Sequence, residues 1–136
     1  MNLRNCTSLV FSVLLLTACA NNLRQKTAAN LAAYTAAAGP EVSSFSMHRE
    51  LYSWQALGNQ TLVVYTQPQQ AYLLDVSLCP DLPTASGITL SRSGGQIMSK
   101  VDKVLVGGSE FPCPIQHIRP VDLDKLRATQ AGQPKI

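Results

Sequence analysis

Short segments with the two-residue alternation of β-strands, separated by turn signals, are the feature of this chain that most constrains its fold. In residues 44–49, Phe45 and Met47 alternate with serines and a histidine, a pattern typical of a strand with one buried face. Residues 61–66 (TLVVYT) are mostly β-branched or aromatic, which also favours a strand. We predict six or seven strands, within residues 44–49, 51–56, 61–66, 71–78, 88–91, 97–106 and 114–119.

Turn residues between these segments indicate antiparallel pairing. Gly58-Asn59 is a turn signal, and Ser93-Gly94-Gly95 is typical of a hairpin turn. A small antiparallel barrel or a strongly curved sheet of about six strands would remove exposed strand edges. We therefore predict a mainly β fold.

Two helices are predicted to frame the strands. Residues 23–38 are rich in alanine, the strongest helix former, and Gly39-Pro40 follows as a stop signal. Asp122 is placed to cap a short C-terminal helix over residues 123–128. Residues 129–136 lack periodicity and are predicted to form a flexible tail.

The N-terminus carries an apolar run of eight residues, 9–16, after the positive charge of Arg4. Such a run fits a signal peptide and is too short to cross a bilayer. Leu16-Thr17-Ala18-Cys19 then resembles the lipobox of bacterial lipoproteins, which a lipoprotein signal peptidase reads before cutting ahead of a lipid-modified cysteine. A plain secretory signal peptide is the alternative, although it has no use for a cysteine at that point.

This resemblance implies an order of segments along the chain. Residues 1–18 form the signal peptide, and residues 19–40 form a tether helix anchored in the membrane by acyl chains on Cys19. Residues 41–128 form the β-domain, and residues 129–136 form the tail. Ala20 follows the cysteine where an aspartate is associated with inner-membrane retention, so the resemblance implies the periplasmic face of the outer membrane. A partner-binding role of the helix remains an alternative to a simple tether.

Cys79 and Cys113 are predicted to form a disulfide, since an even pair of cysteines in an oxidising compartment is typical of one. Closing a loop of this length would stabilise the fold by about 4 kcal/mol in the chain-entropy model. A metal site of Cys79, Cys113 and His117 is the alternative. Pro112 and Pro114 argue against the helix that would align Cys113 with His117.

Charge and motifs exclude several function classes. The chain has eleven basic and eight acidic residues, scattered without a basic stripe, so we predict no nucleic-acid partner. No serine-nucleophile elbow, zinc-protease helix or phosphate loop occurs. His48 and His117 are the only histidines, and Asp75 with Asp102 would form a carboxylate couple only if their strands adjoined. We predict no catalytic residue, no cofactor and no metal.

Aromatic and polar side chains remain as candidates for recognition. Trp54 with Tyr52, Tyr65 and Tyr72 could line a binding surface. Core packing is the simpler interpretation for Trp54 and Tyr72, because a small β-domain needs large apolar side chains. Arg119 and Asp81 are interpreted as a hydrogen-bonded pair, or as caps, beside the disulfide.

Several short motifs follow one another along the predicted β-domain: Trp54, Leu57-Gly58, residues 62–64, 71–74, 79–82 and 102–106, Pro112-Cys113 and residues 118–122. Together they resemble an uncharacterised family of small lipoproteins from Gram-negative bacteria. The similarity spans roughly residues 43–126, and the family has no established activity. Cys79 and Cys113 belong to its pattern, which supports the disulfide.

We therefore expect a lipid-anchored envelope lipoprotein with a binding or structural role. Its expected partners are the membrane, through the acyl chains on Cys19, and an envelope protein. The alternatives are an inhibitor of a periplasmic or incoming hydrolase, which rests on fold-level analogy, and a small enzyme of unknown reaction.

Overall fold

A computed structural model describes residues 21–132. Cys19, the predicted signal peptide and the last four residues lie outside the described residues. Helix α1 covers residues 21–37 of the described chain, and helix α2 spans Leu123–Ala131. The strands are β1 Ser44–Ser46, β2 Ser53–Ala56, β3 Thr61–Gln67, β4 Gln70–Val76, β5 Ile88–Leu90, β6 Gln96–Met98, β7 Lys103–Val106 and β8 Cys113–Val121, with a 3-10 turn over Leu82–Thr84.

The main sheet has six antiparallel strands in the order β2-β3-β4-β8-β7-β5, and it curls into a half-barrel. β1 and β6 form a separate two-stranded antiparallel sheet. The prediction of a mainly β fold with about six strands in a curved sheet, an N-terminal helix and a short C-terminal helix is confirmed.

The central strands are buried on both faces, which explains their nearly continuous apolar sequence. Leu62 and Val64 of β3 pack with Phe45 and Ile97 from the small sheet, on what we call the inner face. Val63 lies between them in sequence and belongs to a second apolar cluster, on the outer face. Helices α1 and α2 cover this outer cluster with Ala33, Tyr34, Ala37 and Leu126.

Small side chains let α1 approach the sheet closely. Ala33 and Ala37 are each 2% exposed, whereas residues 21–26 are exposed to solvent. After the helix ends at residue 37, isolated bridges from Ala38 to Val121 and from Val42 to Ile118 lead the chain along β8. The alanine-rich segment is therefore helical, as predicted, and its C-terminal half docks on the sheet.

The single long strand predicted over residues 97–106 is wrong. The chain turns over residues 99–102, where Lys100 has a left-handed φ of 65°. Asp102 is buried in this turn, and its carboxylate accepts hydrogen bonds from the Met98 amide at 2.8 Å and from the Ser91 and Ser93 hydroxyls at 2.9 and 3.2 Å. A buried carboxylate needs such partners, and satisfying them breaks the strand in two.

A bulge in β8 changes which of its side chains face inward. Asp75 pairs with His117 and the next residue, Val76, pairs with Ile115, so the bulge leaves Gln116 without a partner on β4. Ile115 and Ile118 are consequently both fully buried, while His117 faces outward. The bulge is what selects Ile118 rather than its neighbour His117 for the core.

Helix α2 begins at the predicted residue and ends later than predicted. One carboxylate oxygen of Asp122 accepts hydrogen bonds from the amides of Asp124 and Lys125, both at 3.0 Å, which is the expected capping geometry. The helix continues to Ala131, so three residues of the predicted tail are helical.

Candidate functional site

Two adjoining clefts share Tyr52 and Pro68, and the second of them includes residues of β2, the edge strand of the main sheet. The first, which we call the polar cleft, has a volume of about 800 Å³. The second, which we call the aromatic cleft, has a volume of about 500 Å³ and is lined by Tyr34, Tyr52, Ser53, Trp54, Gln55, Tyr65 and Pro68. Concave sites with several aromatic and a few polar side chains are typical of ligand binding.

Three separate elements supply the aromatic cleft. Tyr34 comes from the docked half of α1, and Tyr65 from β3. Tyr52 immediately precedes β2, while Trp54 lies within it. Ser53 pairs with Tyr65 across the ladder, which places β2 beside the tyrosine of its neighbour. The cleft is therefore a product of tertiary packing, and no local motif encodes it.

Tyr34 and Tyr65 restrain each other's position in the aromatic cleft. The hydroxyls of Tyr34 and Tyr65 lie 2.7 Å apart, in hydrogen-bond contact. Burial, with this hydrogen bond as a lesser cause, raises the pKa of Tyr34 well above its ordinary value of 10.0. The phenol of Tyr34 is thus neutral at physiological pH, and the hydrogen-bonded rings of Tyr34 and Tyr65 form a wall of the cleft.

Trp54 and Tyr52 form the more accessible part of the aromatic cleft. Trp54 is half-buried because it packs against the inner cluster, and Tyr52 is 64% exposed. Exposed aromatic rings with a polar atom at the tip are common anchors in recognition sites. The sequence raised both residues as candidates, with core packing as the simpler interpretation for Trp54. It missed Tyr34, because an alanine-rich helix does not indicate which strand it will cover.

The polar cleft combines an ordered aromatic floor with charged walls. Tyr72 stacks on Phe45 with ring centroids 4.2 Å apart, and its hydroxyl accepts a hydrogen bond from Gln70 Nε2 at 2.9 Å. His48 and Glu50 also line this cleft. The Glu50 carboxylate pairs with Arg92 at 3.4 Å, and within residues 21–132 no hydrogen bond joins His48 to this carboxylate.

A second polar cluster lies on the outer face of the sheet. His117 Nδ1 contacts Glu41 Oε1 at 2.9 Å, and Arg119 donates to Asp75 at 3.3 Å. Thr61 also donates to Asp75, at 3.3 Å. The hydrogen bond with His117 is the main cause that lowers the pKa of Glu41 below its ordinary value. These residues form two exposed or partly exposed ion pairs, with no cavity around them among the described pockets.

The strand condition for a couple of Asp75 and Asp102 is not met, because β8 lies between β4 and β7. Asp75 binds Arg119, while Asp102 is held by Ser91, Ser93 and the Met98 amide. The pair of Arg119 with Asp81 does not form among the described residues, and Arg119 donates to Asp75 instead. Asp81 stands at the start of the 3-10 turn without a side-chain capping hydrogen bond.

The disulfide between Cys79 and Cys113 is present, with Cα atoms 5.7 Å apart. It ties the loop after β4 to the start of β8. Both thiols of the alternative metal site are used in this bond. Residues 21–132 contain no group of three or more histidine, cysteine or acidic side chains placed to hold a metal ion.

No helix in the described part of the chain combines the length and the apolar character needed to cross a membrane. The lipid attachment predicted at Cys19 falls outside the described residues.

The fold places this chain among small, mainly β proteins in which helices cover the outer face of a curled sheet. A family model described as a family of unknown function, DUF6491, matches residues 2–135, and the chain belongs to this family. No match was found among curated proteins or solved structures. Lipid attachment and compartment are not part of the family's description, so both remain predictions from the sequence.

Proposed function

We propose that this protein is a lipid-anchored envelope lipoprotein, on the periplasmic face of the outer membrane, that binds an envelope protein through the aromatic cleft. The observation that carries the binding role is the convergence of Tyr34, Tyr52, Trp54 and Tyr65 on one open cleft. The lipobox-like sequence ending at Cys19 supports the anchor.

The cleft suits binding for energetic reasons. Tyrosine and tryptophan supply a large contact area for little loss of conformational freedom, because each has only two side-chain torsions. The hydrogen bond between Tyr34 and Tyr65 and the packing of Trp54 already restrict three of the four rings. Such preorganisation leaves less entropy to be lost when a partner binds.

The helix between anchor and domain fits this role. Residues 21–26 of α1 are exposed, and they stand between Cys19 and the docked half of the helix. Acyl chains on Cys19 would bind the bilayer with about 0.8 kcal/mol per buried methylene. The exposed turns would then separate the β-domain from the membrane surface, leaving the cleft accessible.

Co-purification from detergent-solubilised envelopes tests the binding role. Tyr52→Ala removes an exposed cleft ring, and Phe111→Ala removes a 79% exposed ring outside both clefts as the matched control. We expect the native chain and Phe111→Ala to retain the same stoichiometric partner and Tyr52→Ala to lose it. Equal recovery from all three chains would contradict binding through the cleft. A hydrolase as the partner would instead support the inhibitor alternative.

Acyl labelling with membrane fractionation tests the anchor. Cys19→Ala should abolish the label and leave a soluble or uncleaved protein, whereas Cys6→Ala, within the predicted signal peptide, should change neither result. Unchanged labelling and membrane association of Cys19→Ala would show that the anchor is wrong.

A further inference from the structure

The lining of the aromatic cleft shows that it follows the edge of a strand. Ser53, Trp54 and Gln55 are consecutive residues of β2, and all three line the cleft. Successive side chains of a strand point to opposite faces of a sheet. A cavity touched by three in a row must therefore run along the edge of β2, where the backbone itself is accessible.

This edge has no strand partner among the described residues. β2 is the terminal strand of the main sheet, and its ladder joins it to β3 alone. An unpaired strand edge presents a row of N–H and C=O groups that can pair with another extended chain. β2 has four residues, Ser53–Ala56, along this edge.

The ladder identifies which backbone groups of β2 face the free edge. The Leu57 amide donates to the Thr61 carbonyl at 2.8 Å, in line with the register that pairs Gln55 with Val63. Hydrogen-bonded pairs alternate with non-bonded pairs in an antiparallel ladder. The N–H and C=O groups of Trp54 and Ala56 therefore point away from β3, toward the free edge.

We infer that the aromatic cleft binds an extended segment of a partner polypeptide, which adds to β2 as an edge strand and pairs with the backbone of Trp54 and Ala56. This inference rests on the proposed binding function and names the chemistry of its ligand. Backbone hydrogen bonds provide the affinity in this mode of recognition, and pockets for alternate side chains provide the specificity.

The surroundings of the edge define the segment that would fit. Tyr65 pairs with Ser53 on the outer face and contacts Tyr34, so one set of alternate side chains of the segment meets a tyrosine wall. The other set of alternate side chains lies on the inner face of the sheet, on the same side as Trp54. Apolar or aromatic residues at every second position would match both sides.

The test begins with a random heptapeptide phage library panned on the full chain in detergent, with Tyr52→Ala as the comparison. The most enriched peptide is then synthesised without tryptophan and titrated against the native chain. Trp54 is the only tryptophan of the protein, so a saturable change in its emission reports binding at the cleft. Chitotetraose is titrated in parallel as a saccharide probe.

Two N-methylated forms of the selected peptide decide between strand addition and other modes. One carries methyl groups on the odd-numbered amides and the other on the even-numbered amides, so side chains and methyl count are closely matched. Only one of the two sets can face β2 in an added strand. Loss of two or so backbone hydrogen bonds at roughly 1 kcal/mol each should weaken that form by about tenfold or more, while the other form binds nearly as the parent does.

The contrary outcomes are distinct. Equal affinities of the two methylated forms, or no enrichment over Tyr52→Ala, would overturn strand addition. Enrichment of proline-rich PxxP peptides would replace it with a polyproline mode. A saturable shift of Trp54 emission with chitotetraose and not with peptide would also overturn it, while leaving a binding role for the cleft in place.

Discussion

The outer face of the main sheet has two halves that differ sharply, although the same strands build both. In the covered half, Val63, Leu73 and Val121 lie under α1 and α2. In the open half, two residues along β3 and β4 and four along β8, Thr61, Asp75 and His117 face solvent wholly or in part. Each strand changes from apolar to polar side chains where the cover of α1 and α2 ends, so strand sequence and helix position together set the boundary between core and surface.

Replacing a residue of the covered half should produce the largest effect. Leu73 is fully buried between β3, β8 and the helices. Leu73→Ala should lower the free energy of unfolding by about 2–5 kcal/mol, because it leaves a cavity in a packed region. Leu78→Ala makes the same chemical change at a 63% exposed position and should stay within about 0.5 kcal/mol. Similar urea midpoints for the two variants would contradict a core that lies on both faces of the main sheet.

Enlarging a small residue under the helix should have the next largest effect. Ala37 is 2% exposed and its carbonyl accepts a hydrogen bond from the Asp122 amide at 2.9 Å. Ala37→Leu should destabilise the protein by about 1–3 kcal/mol through overpacking. Ala36→Leu, at the exposed neighbouring position, is the control and should be nearly neutral. Equal thermal stability of the two variants would show that α1 does not need its small residues to dock.

The sequence specified the elements of the covered half better than their assembly. Runs of apolar, β-branched and aromatic residues located β3 and β4, and Asp122 marked the start of α2. The sequence could not show that Ala33 and Ala37 would face Val63, because small residues do not indicate which face of a helix is buried. The long strand over 97–106 was wrong because the burial of Asp102 depends on Ser91 and Ser93, which lie outside that segment.

Only part of the candidate site could be predicted from the sequence, because the rest depends on tertiary packing. Tyr52, Tyr65 and Trp54 were identified as possible recognition residues by type, and the structure places all three at one cleft. Tyr34 and the edge position of β2 depend on tertiary packing and strand order. Strand order follows from long-range pairing of β4 with β8, which short patterns do not encode.

The tyrosine pair at the border of the covered half should show a smaller effect. Tyr65→Phe leaves the buried Tyr34 hydroxyl without its partner and should cost about 0.5–1.5 kcal/mol. The raised pKa of Tyr34 favours its neutral form in the folded state, so this contribution is present below pH 10.0 and is lost as pH rises above it. In Tyr65→Phe, the pKa of Tyr34 should fall yet stay above 10.0, because burial is the larger cause.

Ultraviolet titration of the phenols, combined with unfolding curves at several alkaline pH values, measures both quantities. Tyr52→Phe is the control, because Tyr52 has no hydrogen bond with Tyr34 among the described contacts and is 64% exposed. A pKa of Tyr34 that returned to 10.0 in Tyr65→Phe would contradict burial as the main cause and would place this ring in the open half.

The ion pair of Glu41 with His117 should have the smallest effect on stability, because it lies in the open half and solvent screens it. The hydrogen bond with His117 lowers the pKa of Glu41, so its contribution is present above the ordinary pKa of 4.5 and is lost as pH falls through the lowered value. In carboxyl NMR titrations, His117→Gln should therefore raise the pKa of Glu41 toward 4.5. Lys100→Asn should raise it less, because Lys100 is a lesser cause and asparagine tolerates the left-handed φ of 65° at this position. An unchanged pKa in His117→Gln, or a larger rise in Lys100→Asn, would mean that diffuse charge rather than one hydrogen bond sets the electrostatics of the open half.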